Sequence, residues 1–202
     1  MEDFADELMF NAGEYYGNFV ALIIVRHALV HGGKHMEYLQ SSEHMIIETI
    51  LCKTLEEKKV AWQVLLQANP DLEKEIDNFH GYTEKVFRKA LIMSANIGCE
   101  PVGIIAFYMN DYVSRTAYIT QVAVNPLYQG RGIGKLLLSR FLSISKEAGM
   151  TTAKLEVKKR NERAKQLYRT FGFREIEEAS FESIYMELKL ISRTQNENNP
   201  IS

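Results

Sequence analysis

Gly130, Gly132 and Gly134 alternate through the run QGRGIGK, Gln129 to Lys135, with Arg131 between two of them and Lys135 at its end. ITQVAVNPLY precedes the run and reads as a strand stopped at Asn125-Pro126. LLLSRFLSIS follows and reads as a helix. This junction constrains the fold more than any other feature of the chain. The first turn of a helix carries N–H groups with no internal partner, at the positive end of the helix dipole. Glycines let an anion reach that main chain without meeting a Cβ. Arg131 and Lys135 add formal charge, so the chemistry of the run is that of a phosphate site.

Two familiar phosphate loops fail on their own letters. A Walker loop needs glycine five residues before Gly134 and a hydroxyl after the lysine; Gln129 and Leu136 stand there. A dinucleotide loop needs a third glycine at position 135, which is lysine. What remains is Q-x-x-G-x-G, carried by Gln129, Gly132 and Gly134.

The rest of the pattern frames this loop. MIIETILC (45–52) reads as a first strand. Thr54 and Glu57 form a capping box for the helix LEEKKVAWQVLLQA. Asn69-Pro70 is expected to cap a second helix reaching about Phe79, with Gly81 as punctuation and Thr83 capping EKVFRKA. LIMSAN and VGIIAFYM read as a hairpin about IGCEP, and TAYITQVAV as the next strand. Strict alternation there puts Tyr118, Thr120, Val122 and Val124 on one face and Ile119, Gln121 and Ala123 on the other. In the helix after the glycines, Ile133, Leu136, Leu137, Phe141 and Ile144 are expected to form the apolar stripe. AKLEV is a strand burying Leu155 and Val157. Asn161 caps ERAKQLYRTF, with Ala164, Leu167, Tyr168 and Phe171 on one stripe and Gly172 at its end. FREIEEA and SIYMELKL close the chain as strands. The order β-α-α-β-β-β-α-β-α-β-β is a mixed α+β domain with a central strand-helix-strand unit.

ITQVAVNPLYQGRGIGKLL, KLEV and NERAKQLYRTFGF together resemble the GNAT superfamily of acetyl-CoA-dependent N-acetyltransferases. The resemblance covers about residues 90–173 firmly and extends over 45–190. It implies a mostly antiparallel sheet with flanking helices. It implies that Gln129, Gly130, Arg131, Gly132, Ile133, Gly134 and Lys135 cradle the pyrophosphate of coenzyme A. Val122, Ala123 and Val124 would bind the pantetheine arm through their main chain, where two strands splay apart, and Asn161 would help line the cleft. Tyr168 matches the family tyrosine that protonates the departing thiolate. No metal is implied; acetyl-CoA is the co-substrate. Histone-type members carry a glutamate base at the position of Tyr118, so Glu156 and Tyr108 stand as alternatives.

Competing readings are expected to fall elsewhere. Lys158 to Lys165 reads as a solvated face or as help for the 3′-phosphate. His27, His31 and His35 are spaced as metal ligands, but Gly32 and Gly33 break the helix they need. Cys52 and Cys99 read as small apolar fillers, and so few cysteines fit a reducing compartment. Tyr82, Phe107, Tyr108 and Tyr118 are either acceptor-pocket walls or ordinary packing. Residues 1–44 look unlike the rest and form an extension of open role, ahead of a domain at 45–191 and a frayed tail at 192–202. Acidic and basic residues number 26 and 24, so nothing marks a nucleic-acid coat. FVALIIVRHALV is too short and too charged to span a bilayer, which fits a cytoplasmic protein.

The expected activity is acetylation of a primary amine on a small molecule. A protein or peptide amine is the alternative. A silent acyl-CoA-binding module is a third reading. The resemblance also allows a homodimer through the last two strands.

Overall fold

The computed structural model describes residues 46–190. The histidine-rich segment, the extension before Met45 and the C-terminal tail lie outside the described residues.

Among the described residues, seven strands form one sheet in the order β1-β2-β3-β4-β5-β7-β6. They are β1 (Glu48–Leu51), β2 (Leu91–Ile97), β3 (Glu100–Asp111), β4 (Thr116–Val124), β5 (Thr152–Lys158), β6 (Arg174–Glu178) and β7 (Ser183–Lys189). Every neighbouring pair is antiparallel except β4 and β5. That one parallel pair needs a crossover, and the helix after the glycines supplies it. The helices are α1 (Leu55–Ala68), α2 (Leu72–Glu75), α3 (Phe79–Lys89), α4 (Ile133–Glu147) and α5 (Glu162–Thr170). Among the described residues, no helix is long and apolar enough to cross a membrane.

Each sheet face has its own core. Ile92, Ile104 and Ala106 pack with Trp62, Leu65 and Val86 beneath α1 and α3. Met93, Ile105, Phe107, Ile119 and Leu155 pack with Leu137, Phe141 and Tyr168 beneath α4 and α5. Alternation along β2 and β3 makes this division. Phe107 is fully buried, 5.0 Å from Phe141 in an edge-on pair. It is core, not a wall of an acceptor pocket; truncating such a ring costs about 3–5 kcal/mol.

Several local expectations hold. The Thr54–Glu57 capping box is formed, with Glu57 N–H donating to Thr54 Oγ1 at 3.2 Å. β4 and α1 have the expected limits. Others need correction. Asn69 closes α1 instead of opening a helix: its N–H bonds to Leu65 O at 2.9 Å. α2 is then a single turn starting at Leu72. α3 starts at Phe79 and runs through both Gly81 and Thr83. Asn78 sets that start by accepting the Gly81 N–H at 3.2 Å. Gly81 belongs there because a Cβ would sit 2.6 Å from Asn78 Nδ2.

The stripe of α4 is rotated from the expected one. Ile133, Leu137, Leu138, Phe141 and Leu142 are buried, while Leu136 and Ile144 are only partly so. The N-terminus of α4 lies so close to β3 that a Cβ on Gly103 would fall 2.7 Å from Ile133 Cγ2 and 3.0 Å from Leu137 Cδ1. Gly103 therefore sets the height of the glycine loop above the sheet.

Candidate functional site

β4 does not keep the strict alternation its sequence suggests. Phe107 pairs with Ile119 and Ala106 with Gln121, so Thr120 is an extra residue on β4. Such a bulge turns the strand by one position and bends it. Ile119, Val122 and Val124 consequently pack on the α4 side, and Ala123 on the α1 side. The parallel ladder to β5 ends at the same place: Ile119–Leu155 is its last pair. Beyond it β4 runs to Val124 and β5 to Lys158 without pairing to each other. A groove bounded by unpaired main-chain edges results, directly ahead of the glycines.

The turn that follows is braced at both ends. Asn125 Oδ1 accepts the Leu127 N–H at 3.0 Å and its Nδ2 donates to Gln67 of α1 at 3.0 Å. Gln129 Nε2 donates to Val124 O at 3.1 Å, and Arg163 of α5 donates to Gln129 Oε1. Gln129 thus ties the strand end to α5 with its side chain. Gly130 and Gly132 take φ of +80° and +81°, and nothing lies within 4 Å of where either would carry a Cβ. Gly132 opens α4 without a side-chain cap. These are the features of a main-chain cradle open to an anion, and they fit a pyrophosphate.

The remaining loop residues divide. The Arg131 guanidinium lies 5.5 Å from the centre of the Tyr128 ring, and Lys135 is exposed. Ile133 points into the core, so its main chain alone faces the cradle. Gly134 serves packing, since a Cβ there would meet Leu167 of α5 at 3.3 Å. Asn161 caps α5, accepting the Ala164 N–H at 3.1 Å. Part of the Lys158–Lys165 run is engaged by carboxylates. Lys158 lies 2.5 Å and Arg160 3.4 Å from Glu75, and Lys165 lies 2.5 Å from Glu162. The Lys158 hydrogen bond holds the Glu75 carboxyl below its usual range.

Tyr168 is only 7 % exposed and rests on Phe173, 5.8 Å between ring centres. Burial pushes its hydroxyl up to about 12. It occupies the α4–α5 side of the sheet.

Three other tyrosines gather on the opposite face. A cleft of roughly 490 Å³ is lined there by Tyr108, Tyr118, Lys154, Tyr185, Asp111 and Glu187, among others. Tyr108 and Tyr118 are ladder partners, as are Tyr118 and Lys154. Burial raises both tyrosine hydroxyls; for Tyr118 the charges of Glu156 and of Tyr185 add to this. Glu156 alternates with buried Leu155 and Val157, is exposed on the cleft face, and accepts the Ser183 hydroxyl. Lys154 lies 3.1 Å from Glu177 and 4.1 Å from the centre of the Tyr185 ring. Tyr82 is not a wall of the cleft. Its hydroxyl lies 3.0 Å from Thr120 Oγ1 and accepts Gln121 Nε2 at 2.8 Å.

Tyr185, Lys154 and Glu187 were not expected from sequence. The signal was present: in SIYMELKL the polar residues alternate with buried Ile184 and Met186, so Tyr185 and Glu187 share the face away from α4 and α5. The arrangement sets a phenol on one side of the parted strands and a carboxylate with three tyrosines on the other.

Comparison with known proteins agrees with this fold. The model of the acetyltransferase (GNAT) family matches residues 51–173. A [ribosomal protein bS18]-alanine N-acetyltransferase of Haemophilus influenzae is 40% identical over 74 residues, 37% of this chain and 50% of that protein. A thialysine N-epsilon-acetyltransferase of Sus scrofa is 30% identical over 77 residues, 38% of this chain and 45% of that protein. The chain thus spans about half the length of the curated relatives it matches. The crystal structure of the ribosomal-protein-S18-alanine N-acetyltransferase from Escherichia coli superposes with a TM-score of 0.60 at 19% identity. It covers 74% of this chain and 97% of that one.

Proposed function

Because the chain belongs to the acetyltransferase (GNAT) family, we propose that it transfers the acetyl group of acetyl-CoA to a primary amine by direct attack. The observation that carries this reading is the parting of β4 from β5 after Ile119–Leu155, directly ahead of two open glycines at positive φ. Acetyl-CoA supplies the activated acyl group. The main chain of Gly130 to Lys135 holds its pyrophosphate, with Arg131 and Lys135 adding charge. The main chain of Val122, Ala123 and Val124 holds the pantetheine arm, and Asn161 shapes the entrance by fixing the start of α5.

Tyr168 faces the leaving sulfur. A phenol at about 12 keeps its proton through neutral pH. An ordinary thiol titrates near 8.5, so full transfer to the thiolate is uphill by about 3–4 units, roughly 5 kcal/mol. Tyr168 therefore acts first as a hydrogen-bond donor to the developing thiolate. Charge on the carbonyl oxygen is met by main-chain N–H groups at the bulge.

The incoming amine arrives from the cleft side and must be deprotonated, since an alkyl ammonium titrates near 10.4. Tyr108 and Tyr118 are both raised and stay protonated, which makes them poor bases. Glu156 is the carboxylate of that face nearest the groove in sequence register, one residue past Leu155. It takes the proton, directly or through water. Tyr108, Tyr118 and Tyr185 form the walls along which the acceptor lies.

The acceptor we propose is a small primary amine, with the reaction centre at the mouth of the tyrosine cleft. A peptide amine is the second reading. It draws on the Haemophilus influenzae relative, named for a ribosomal protein, and on two carboxylates at the cleft, the exposed Asp111 and the partly buried Glu187. The test is calorimetry with acetyl-CoA followed by thiol release against a panel of amines, amino acids and peptides. Release on one amine class supports the enzyme and names the acceptor. Binding without release on any amine favours a silent acyl-CoA-binding module, and absent binding overturns the reading.

A further inference from the structure

Thr120 and Gln121 are consecutive on β4, and side chains of consecutive strand residues normally point to opposite faces. Here both reach one atom, the hydroxyl oxygen of Tyr82. The bulge makes this geometry available, because Thr120 is the residue without a partner on β3. The donors sort themselves out. Gln121 Nε2 donates to the tyrosine oxygen at 2.8 Å, which leaves the tyrosine proton to be given to Thr120 Oγ1 at 3.0 Å. Tyr82 is in turn held on α3 by aromatic neighbours, Trp62 at 6.4 Å and Phe79 at 6.5 Å between ring centres. Trp62 is itself buried in the α1–α3 core.

We infer that Tyr82 is a positioning residue: its hydroxyl clamps the β4 bulge to α3 and so fixes the main chain from Thr120 to Val124 where β4 leaves β5. The inference rests on the acetyltransferase reading for its catalytic consequence and on the hydrogen bonds alone for its structural one. A β-bulge is a local opening of the ladder, and on its β5 side this one has no strand to hold it past Ile119. Pairing with β3 resumes only at Gln121–Ala106. The clamp from α3 replaces the support that β5 withdraws. Main-chain donors aimed at a developing oxyanion work only when they are held before the charge appears. Tyr82 supplies that rigidity without touching the substrate, which is why it stands outside the cleft that Tyr108 and Tyr118 line.

The test uses the full chain with Tyr82→Phe, Thr120→Val and the double variant. Amide hydrogen exchange is followed over residues 117–124 and 133–147, without ligand and with acetyl-CoA. Thr120→Val, which loses one hydrogen bond, is expected to speed exchange in 117–124 about fivefold; Tyr82→Phe, which loses that bond and the one from Gln121, is expected to speed it further, and both are expected to leave 133–147 unchanged. The double variant is expected to be no faster than Tyr82→Phe, because that substitution already removes the contact Thr120 makes. With the best amine of the panel, kcat is expected to fall about tenfold, a larger effect than any rise in KM for acetyl-CoA. Unaltered exchange over 117–124, additive effects in the double variant, or wild-type kcat in Tyr82→Phe would each overturn the inference. The exchange arm needs no acceptor. A wild type that turns over no amine sinks the proposed activity, while the exchange result still decides whether Tyr82 holds the bulge.

Discussion

Ile119 and Leu155 form the last pair between β4 and β5, and the next residue, Thr120, is the one β3 leaves unpaired. Both ladders of β4 are therefore interrupted within one residue of each other. A central strand rarely tolerates this, since unpaired main-chain groups inside a sheet cost free energy unless something else satisfies them. A ligand whose arm runs along the strand edge satisfies them. This double interruption is where the proposed reading lays the pantetheine arm.

The first prediction concerns the cradle. Gly132→Ala forces alanine to φ +81°, a strain of about 1–2 kcal/mol, with no steric clash inside the protein. Gly98 is a matched control: it sits in the β2–β3 turn at φ +57°, also with nothing within 4 Å of a Cβ. Both alanine variants are expected to lower the unfolding free energy by similar amounts in urea titrations. Only Gly132→Ala is expected to weaken coenzyme A binding, by about tenfold or more, because its methyl group occupies the anion's side of the loop. Equal calorimetric affinities for the two variants would remove the pyrophosphate from this loop.

A second prediction uses Tyr168. Tyr168→Phe keeps the packing on Phe173 and removes only the hydroxyl. Turnover is expected to drop about tenfold to a hundredfold, with acetyl-CoA affinity nearly unchanged. The pH dependence of stability carries a separate sign. The folded hydroxyl sits at about 12 against about 10 unfolded, so the folded state holds its proton longer. Stability is therefore unaffected by this group below pH 10, falls as pH rises from 10 to 12, and has lost about 3 kcal/mol beyond that. Tyr168→Phe is expected to flatten that alkaline loss in denaturant titrations. Identical alkaline slopes for the two proteins would place the ring in water.

The elements around the glycine loop were legible because local chemistry alone decides them. Asn125-Pro126 ends a strand, Thr54 and Glu57 cap a helix, and Asn161 caps another, whatever surrounds them. What failed depended on contacts distant in sequence. The bulge at Thr120 left no mark on the alternation of TAYITQVAV, and it exchanged the faces of Val122 and Ala123. Asn78, in a left-handed conformation, started α3 before a glycine that reads as a breaker. Phe107 and Tyr108 are adjacent aromatics, yet only the sheet's two faces tell core from cleft. The local geometry of the loop was thus readable, while the tyrosine cleft proposed for the acceptor, assembled from β3, β4, β5 and β7, needed the strand order.

Glu156 gives a third prediction. Glu156→Gln keeps an acceptor for the Ser183 hydroxyl and removes the base. At neutral pH turnover is expected to fall about a hundredfold, with acetyl-CoA binding intact. The deficit should narrow as pH approaches the amine's own pKa of about 10.4, where the acceptor arrives already deprotonated. A constant ratio of wild-type to variant rates from pH 7 to 10 would assign Glu156 a structural role instead.

The last prediction links packing to binding. Gly103 lies on β3, remote from the glycine loop in sequence, but it is where the first turn of α4 touches the sheet. An added Cβ would meet Ile133 Cγ2 at 2.7 Å and Leu137 Cδ1 at 3.0 Å. Ile133 is β-branched and buried to 1 % exposure at the first position of α4, so the surrounding core leaves it little room to step aside. The helix must lift. Gly103→Ala is expected to destabilise the protein by about 1–3 kcal/mol, the usual cost of overpacking. Lifting α4 also displaces Gly132 and the first-turn N–H groups proposed to hold the pyrophosphate, so coenzyme A affinity should fall together with stability. Shortening the obstructing neighbour tests the cause. Adding Ile133→Val to Gly103→Ala keeps Cγ2 and should recover neither property, whereas Ile133→Ala removes that atom and should recover affinity at some further loss of core. Recovery of affinity by Ile133→Val alone would show that the obstruction lies elsewhere on α4.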